Sequence, residues 1–253
     1  MAARRRLDAE LLRRDLVSSR TEAQSLIAAD RVLVNGSVAT KPARQVAPGD
    51  AIVVSGPPAK FVGRGAEKLD HALDEFGLDV TGVRALDAGA STGGFTDCLL
   101  QRGARQVVAL DVGHGQLHER LRADPRVVNL ERTNVRHADL DTIGGPVDLV
   151  VGDLSFISLR LVIPVLVSMC QPRAPMVLLV KPQFEAGRRE VDRGRGIITD
   201  PDIHRRVRHE VDEALTAAGC TVAGWTESPV TGADGNREFL VHAVSPDEER
   251  AHR

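Results

Sequence analysis

Two charged residues stand where buried strands should end. Val177-Leu178-Leu179-Val180 runs directly into Lys181, and Leu149-Val150-Val151-Gly152 runs directly into Asp153. An ammonium group at the end of such an apolar run is costly to desolvate, so its presence needs a reason. A structural ion pair with an acid such as Asp153 is one reason. Work on a proton inside a cleft is the other.

A second pair of acids marks a ligand site. Ala85-Leu86 runs into Asp87, then Ala88-Gly89-Ala90-Ser91-Thr92-Gly93-Gly94, and Phe95 opens a helical pattern. Glycines let a chain turn sharply and admit a ligand close to the backbone, while the helix start supplies free N–H groups. Dinucleotides and phosphates use such turns too. Here Ser91 occupies the middle glycine position of the dinucleotide fingerprint, and no Lys-Ser/Thr pair follows as a phosphate loop requires. Asp87 would repel a pyrophosphate but suits a cationic, amino-acid-bearing ligand. Asp111 ends the next strand, where a carboxylate can accept from both hydroxyls of a ribose. The set fits S-adenosyl-L-methionine better than NAD.

Other candidates stay open. His114 and His118 lie one helical turn apart, but no third metal ligand is evident, so surface histidines are the simpler reading and no metal is expected. Arg188, Arg189, Arg193 and Arg195 sit in a Gly-containing loop, which suits either a lid gripping phosphate or plain solubility. Arg132 and Arg136 flank a cleft-side strand end and divide the same way.

The elements that must carry these residues alternate. Helix 67–76 precedes strand 84–87, helix 95–102, strand 106–111 and helix 116–123. Strands 127–130 and 147–153 follow, then helix 159–170 and strand 176–181. A Gly/Arg-rich loop leads to helix 201–218 and two closing strands, 221–227 and 238–243, expected as an antiparallel pair at the sheet edge. Strands separated by helices predict a parallel α/β sheet with its ligand crevice beyond the strands' carboxyl ends. The first 55 residues differ. Two short helices, 7–16 and 20–29, the second capped by Ser18 or Ser19, precede a strand 32–34, an Asn35-Gly36 turn, and a strand 51–54. Ser55-Gly56-Pro57-Pro58 is the natural boundary. The expected division is a module over 1–58, a linker over 59–63, a catalytic domain over 64–245 and a charged tail over 246–253.

The totals narrow the class. The chain has 253 residues, 42% of them hydrophobic, enough for a sizeable core. Tyr is absent and Trp occurs once, so aromatic stacking platforms are not expected to dominate any nucleic-acid binding. Residues 1–60 hold ten Lys/Arg against six Asp/Glu, while the remainder holds 23 against 29. The basic excess in front could grip a polyanion. Cys98, Cys170 and Cys220 show neither zinc nor disulfide spacing. With no apolar leader and no apolar run long enough to span a bilayer, a cytoplasmic protein with no membrane partner is expected.

Two resemblances sharpen the reading. Arg-Leu-Asp at 6–8, Ser-Arg-Thr-Glu-Ala at 19–23, Val-Leu-Val-Asn-Gly at 32–36 and Pro-Gly-Asp at 48–50 resemble the small αL RNA-binding module of a ribosomal protein. The resemblance implies RNA contacts at Arg4, Arg6, Arg20 and Lys41, although a solvated surface charge explains each arginine equally. Residues 61–243 resemble the FtsJ-type ribose 2′-O-methyltransferases. With the module included, nearly the whole chain resembles the TlyA family of rRNA cytidine 2′-O-methyltransferases. That match is carried by Arg64-Gly-Ala-Glu-Lys68, Asp87 to Thr96, Asp111 to Leu117, Glu131-Arg-Thr-Asn134, Asp153 to Ser158, Lys181 to Glu185 and Gly235-Asn-Arg-Glu238.

The resemblance implies a Rossmann-like class I methyltransferase domain behind a small α+β RNA-binding domain. It implies a Lys-Asp-Lys-Glu tetrad of Lys68, Asp153, Lys181 and Glu238. It also implies cofactor contacts from Asp87, Gly89, Ser91, Thr92, Gly93, Gly94, Phe95, Asp111, Asn134 and Asp153, with Arg64, Arg132 and Arg136 beside the RNA. The implied partner is 16S and 23S rRNA within ribosomal subunits. Lys181 is the candidate base: burial and Lys68 favour its neutral form, while Asp153 and Glu238 favour the charged one. Two other classes compete. An RNA-binding assembly factor would keep the fold as a platform, and a haemolysin would need an apolar segment that the sequence lacks.

Overall fold

A computed structural model describes residues 4–14, 16–17, 20–56, 60–232 and 234–247, leaving aside the side chains of residues 21, 25, 188 and 193. The cap expected at Ser18 or Ser19 falls outside these residues, as do parts of the linker at 59–63 and the tail at 246–253. The chain divides into two compact units, Met1–Val62 and Gly63–Arg253.

The first unit begins with β1 (Arg5–Arg6), α1 (Leu7–Arg13), α2 (Arg20–Ala28), β2 (Val32–Val34) and β3 (Ser37–Val38). It ends with β4 (Gln45–Val46) and β5 (Ile52–Val54). Asn35 and Gly36 both have positive φ, 53° and 80°, the mirror-image turn that matches strand twist in a tight hairpin. That turn pairs β2 with β3, and β5 joins the other side of β2. The two-residue strands β1 and β4 pair with each other, a detail too short to leave a periodic signal. Leu7, Leu11, Ala23, Ile27, Val32 and Val34 form the centre of this unit's own core.

The second unit is a seven-stranded sheet. Its elements begin with α3 (Gly65–Glu75), β6 (Arg84–Ala88), α4 (Gly94–Gln101), β7 (Gln106–Leu110), α5 (Glu119–Arg122) and β8 (Val127–Leu130). Next come α6 (Leu140–Ile143), β9 (Leu149–Gly152), α7 (Ile163–Ser168), β10 (Pro175–Val180), α8 (Pro182–Glu185) and α9 (Arg188–Arg193). The unit closes with α10 (Pro201–Ala217), β11 (Thr221–Glu227) and β12 (Phe239–Val244). The strand order is β11-β12-β10-β9-β6-β7-β8. Strands β10, β9, β6, β7 and β8 run parallel to one another, and β12 is antiparallel to both β10 and β11. Strands β9 and β10 are apolar almost throughout because both sheet faces are covered.

The closing strands form the expected antiparallel pair at the sheet edge, with β12 between β10 and β11. Two expectations are corrected here. The supposed Gly/Arg-rich loop holds two short helices, α8 and α9, opened by Pro182 and Gly187 respectively. The helix expected over 159–170 is a single 3-10 turn at Leu159–Leu161 followed by α7, with Pro164 near the α7 start where it costs no helical hydrogen bond. By contrast α10 follows its pattern closely. Asp200 caps it and Pro201 starts it, while His204, Val207, Val211 and Leu215 form its buried stripe. Each such apolar side chain contributes roughly 2 kcal/mol by leaving water. Among the described residues no helix is long and apolar enough to cross a membrane.

Candidate active site

The sheet order reverses between β6 and β9, and ligands in open α/β sheets bind beyond the carboxyl ends at such a point. Gly65, Gly89, Ser91, Phe95, Asp153 and Lys181 line a cleft there, with a cavity volume of about 190 Å³.

Four elements bring the charged residues in. Asp153 follows β9 by one residue and Lys181 follows β10 by one, so both emerge at the carboxyl end of the sheet. Lys181 Nζ lies 2.5 Å from Asp153 Oδ1 and donates to Ser155 Oγ at 2.9 Å. The β10–β12 register pairs Val180 with Phe239, so one further step sets Lys181 opposite Glu238. Glu238 in turn accepts a 2.5 Å hydrogen bond from Lys68 Nζ, and this pair is buried. Lys68 sits on α3 one turn after Gly65, and a side chain at Gly65 would come within 4 Å of the Asp153 carboxylate and the Phe95 ring. The four residues thus form two short Lys–carboxylate pairs from α3, β9, β10 and β12.

The glycine turn is built for its own chain first. Gly89 has φ +89°, and a Cβ there would lie 2.7 Å from the carbonyl oxygen of Asp153. A side chain at Gly93 would strike Leu117 and Leu121. Both glycines therefore let the turn pack against neighbouring elements, a requirement that a ligand-centred reading misses. Ser91 keeps a left-handed conformation at φ 48°, and its N–H donates to Asp111 Oδ2 at 2.8 Å. The Gly113 N–H donates to the other Asp111 oxygen at 2.7 Å. Asp111 is thus held by backbone amides, with a lone pair left on each oxygen. Thr92 and Gly94 also line the cleft. Asn134 is not among the lining residues and spends its side-chain oxygen capping a 3-10 turn through the Arg136 N–H.

Asp87 is fully buried. Thr96 Oγ1 donates to its Oδ2 at 2.6 Å, while Oδ1 has no hydrogen-bond partner among the described residues. Burial pushes this acid up to about 7, with Asp153 and Asp111 adding repulsion and the Thr96 hydroxyl opposing the shift. An orphaned carboxylate oxygen of this kind fits a cationic amino group, which is the donor that an amino-acid-bearing cofactor carries.

Several side chains escaped the sequence reading. Ser155 holds Lys181. Phe156 is 91% exposed at φ 63°, its ring 5.2 Å from that of Phe184, so one aromatic face does stand open to solvent after all. Val112, just beyond Asp111, is 66% exposed. All three lie in segments that carry the family resemblance, Asp111 to Leu117 and Asp153 to Ser158, but only their position in loops that follow strand ends signals a role for each side chain. His114 pairs with Glu131 at 2.9 Å, and His118 caps α5 through the Arg120 N–H. The Gly115 amide and His114 together hold the Glu131 carboxyl below its usual range. Among the described residues no cluster of three or more metal-ligating side chains occurs.

All seven basic residues expected at RNA are exposed, and two of them are engaged by Asp8. Arg6 and Arg20 both donate to buried Asp8, at 2.8 and 3.0 Å, and their contact holds the Asp8 carboxyl well below the usual range. Arg4, Lys41, Arg64, Arg132 and Arg136 are exposed.

Comparison with known proteins identifies both units. The FtsJ-like methyltransferase profile matches residues 61–244, and the S4 domain profile matches residues 5–52. The 16S/23S rRNA (cytidine-2′-O)-methyltransferase TlyA of Mycobacterium tuberculosis is 50% identical over 95% of this chain and 90% of its own length. A solved Streptococcus thermophilus protein carrying a provisional hemolysin designation is 38% identical. It covers 99% of this chain and 92% of its own, with a TM-score of 0.77. An S-adenosylmethionine-dependent methyltransferase from Mesorhizobium loti, 17% identical, shares the fold at a TM-score of 0.52 over 69% of this chain and 96% of its own. An S4 unit followed along the chain by a unit with two Lys–carboxylate pairs, the whole matched over nearly its full length by TlyA, makes this chain a member of the TlyA group of the FtsJ-like methyltransferase family.

Proposed function

We propose that this protein transfers a methyl group from S-adenosyl-L-methionine to a ribose 2′-OH of cytidine in 16S and 23S rRNA, within ribosomal subunits. The observation that carries the proposal is the paired arrangement of Lys181 with Asp153 and Lys68 with Glu238 at one end of the sheet. The M. tuberculosis relative's name supplies the substrate class.

The donor, when bound, supplies an electrophilic methyl group on a sulfonium. Asp87, Ser91, Phe95 and Asp111 would hold it, with the orphaned Asp87 oxygen suited to its amino group and Asp111 to its ribose. Asn134 belongs to the same proposal through its remaining side-chain N–H groups. Lys181 is placed to hold or accept the proton of an attacking hydroxyl, and Asp153 and Ser155 aim it. Lys68 and Glu238 keep the second pair neutral overall, so that the cleft does not repel a phosphate backbone. The exposed Phe156 ring can stack on a base, and Arg64, Arg132 and Arg136 can meet phosphates.

Nucleoside mass spectrometry tests the proposal directly. Incubating the protein with S-adenosyl-L-methionine and undermodified ribosomal subunits should convert cytidine to 2′-O-methylcytidine. A methylated base with unmodified ribose would replace the proposal, and a lack of binding heat with S-adenosyl-L-methionine would return the protein to the assembly-factor reading.

A further inference from the structure

Glu185 lies four residues beyond Lys181 and is only 4% exposed, yet nothing in the proposed chemistry uses it. Its carboxylate is saturated by a different element. Ser158 Oγ donates to Oε2 at 2.5 Å and the Leu159 N–H donates to Oε1 at 2.7 Å. Arg160 closes the set, with Nε 3.4 Å from Oε2 and Nη2 donating to the Glu185 carbonyl at 3.1 Å. Three consecutive residues of the loop that follows β9 are therefore fastened to one buried side chain at the end of α8.

That loop begins at Asp153. It carries Ser155, whose hydroxyl accepts from Lys181, and Phe156, the exposed ring packed against Phe184 of α8. Phe156 holds a left-handed backbone at φ 63°, which is strained for a bulky residue and persists only where its surroundings enforce it. Glu185 supplies that enforcement from the far side of the loop. Arg160 extends the brace to α10 through Glu210 at 2.8 Å.

We propose that Glu185 is a positioning residue for methyl transfer, locking the Asp153–Ser158 loop against α8 so that Asp153 and Ser155 keep the Lys181 ammonium aimed into the cleft. It touches neither substrate nor donor; it acts through Ser158, Leu159 and Arg160. The inference rests on the reading of Lys181 and Asp153 as the reacting pair.

The test uses full-length protein with Glu185→Gln, which keeps the shape and removes the charge, and Ser158→Ala, which removes one hydrogen bond. Both should lower kcat on ribosomal subunits, Glu185→Gln by about tenfold, since an ångström of misplacement at a reacting group costs that much or more. The dissociation constants for S-adenosyl-L-methionine and RNA should stay within about twofold, and kcat should be normalised to the binding-competent fraction by titration. Glu185→Asp, charged but too short, should not restore the rate. The double variant should be no slower than Glu185→Gln alone, because both changes release the same loop.

Unchanged kcat in Glu185→Gln, or a loss matched by weaker binding or a smaller folded fraction, would overturn the positioning role. Lys181→Ala, measured alongside, separates the two ideas. Full activity there sinks the reacting-pair reading itself, whereas an inactive Lys181→Ala beside a fully active Glu185→Gln sinks only this inference.

Discussion

Lys181 and Asp87 are both ionisable groups that the fold has drawn out of water, but it treats them in opposite ways. Lys181 is given an acid at 2.5 Å and a hydroxyl at 2.9 Å, so its charge is answered. If its task is to take a proton, a guanidinium in its place cannot perform it. Lys181→Arg should then be nearly as inactive as Lys181→Ala in a methyl-transfer assay, and substantial activity in the Arg variant would leave only a positioning role. Among the described residues Asp87 has no cation beside it, only Thr96 and two like-charged neighbours, so burial raises it from 3.8 to about 7. A carboxyl that binds its proton more tightly when folded adds stability below pH 4, and that stability is lost as pH rises towards 7. The full swing is at most about 4 kcal/mol, from three pK units at 1.36 each. Asp87→Asn should therefore flatten the fall in unfolding free energy between about pH 4 and 7, measured by denaturant titration without cofactor. Parallel curves for the two proteins would show that the buried acid does not titrate in that window.

The turn from β6 to α4 is pressed onto the end of β9, and this contact sets where Asp153 stands. Gly89→Ala places a methyl group 2.7 Å from the Asp153 carbonyl in a backbone conformation that alanine rarely adopts. It should destabilise the second unit by roughly 2 kcal/mol or more and lower kcat as well, because the residue displaced belongs to the site. A destabilised but fully active variant would show that Asp153's position is set elsewhere. The strands that carry the site were legible as apolar runs ending in Asp87, Asp111, Asp153 and Lys181, since a strand buried on both faces has to read that way. The insertion of β12 between β10 and β11 was not legible, because strand order depends on contacts far apart in the chain. Glu185 and Ser155 lie in segments that carry the family resemblance, but their roles were hidden for a related reason: a polar residue outside the expected strands and helices looks solvated until its partner from another element is known. Helices α8 and α9 span four and six residues, too few for a helical period to emerge above the Gly and Arg content of the segment. The tetrad came from family resemblance rather than spacing, since Lys68 and Glu238 are 170 residues apart.

At the scale of the whole molecule, charge and chemistry are divided between the two units. The first 60 residues carry the basic excess and a core of their own, whereas the rest of the chain is acidic overall and contains the cleft. An acidic catalytic unit is poorly suited to gathering a polyanion by itself, so the S4 unit should supply much of the RNA affinity while contributing nothing to the methyl-transfer step. Within it, Arg6 and Arg20 are partly committed to Asp8, so removing either disturbs the fold of α1 and α2 as well as any RNA contact. Arg4 and Lys41 are exposed and give the cleaner test. Neutralising both to Gln should raise the KM for ribosomal subunits about tenfold at moderate salt and leave kcat at saturating RNA nearly unchanged. The slope of log affinity against log salt should fall by about one for each phosphate contact removed. Affinity for S-adenosyl-L-methionine, followed by calorimetry, should not move. A drop in kcat with KM and salt slope intact would mean that these side chains act on the catalytic unit instead of the RNA, and the division of labour between the units would be wrong.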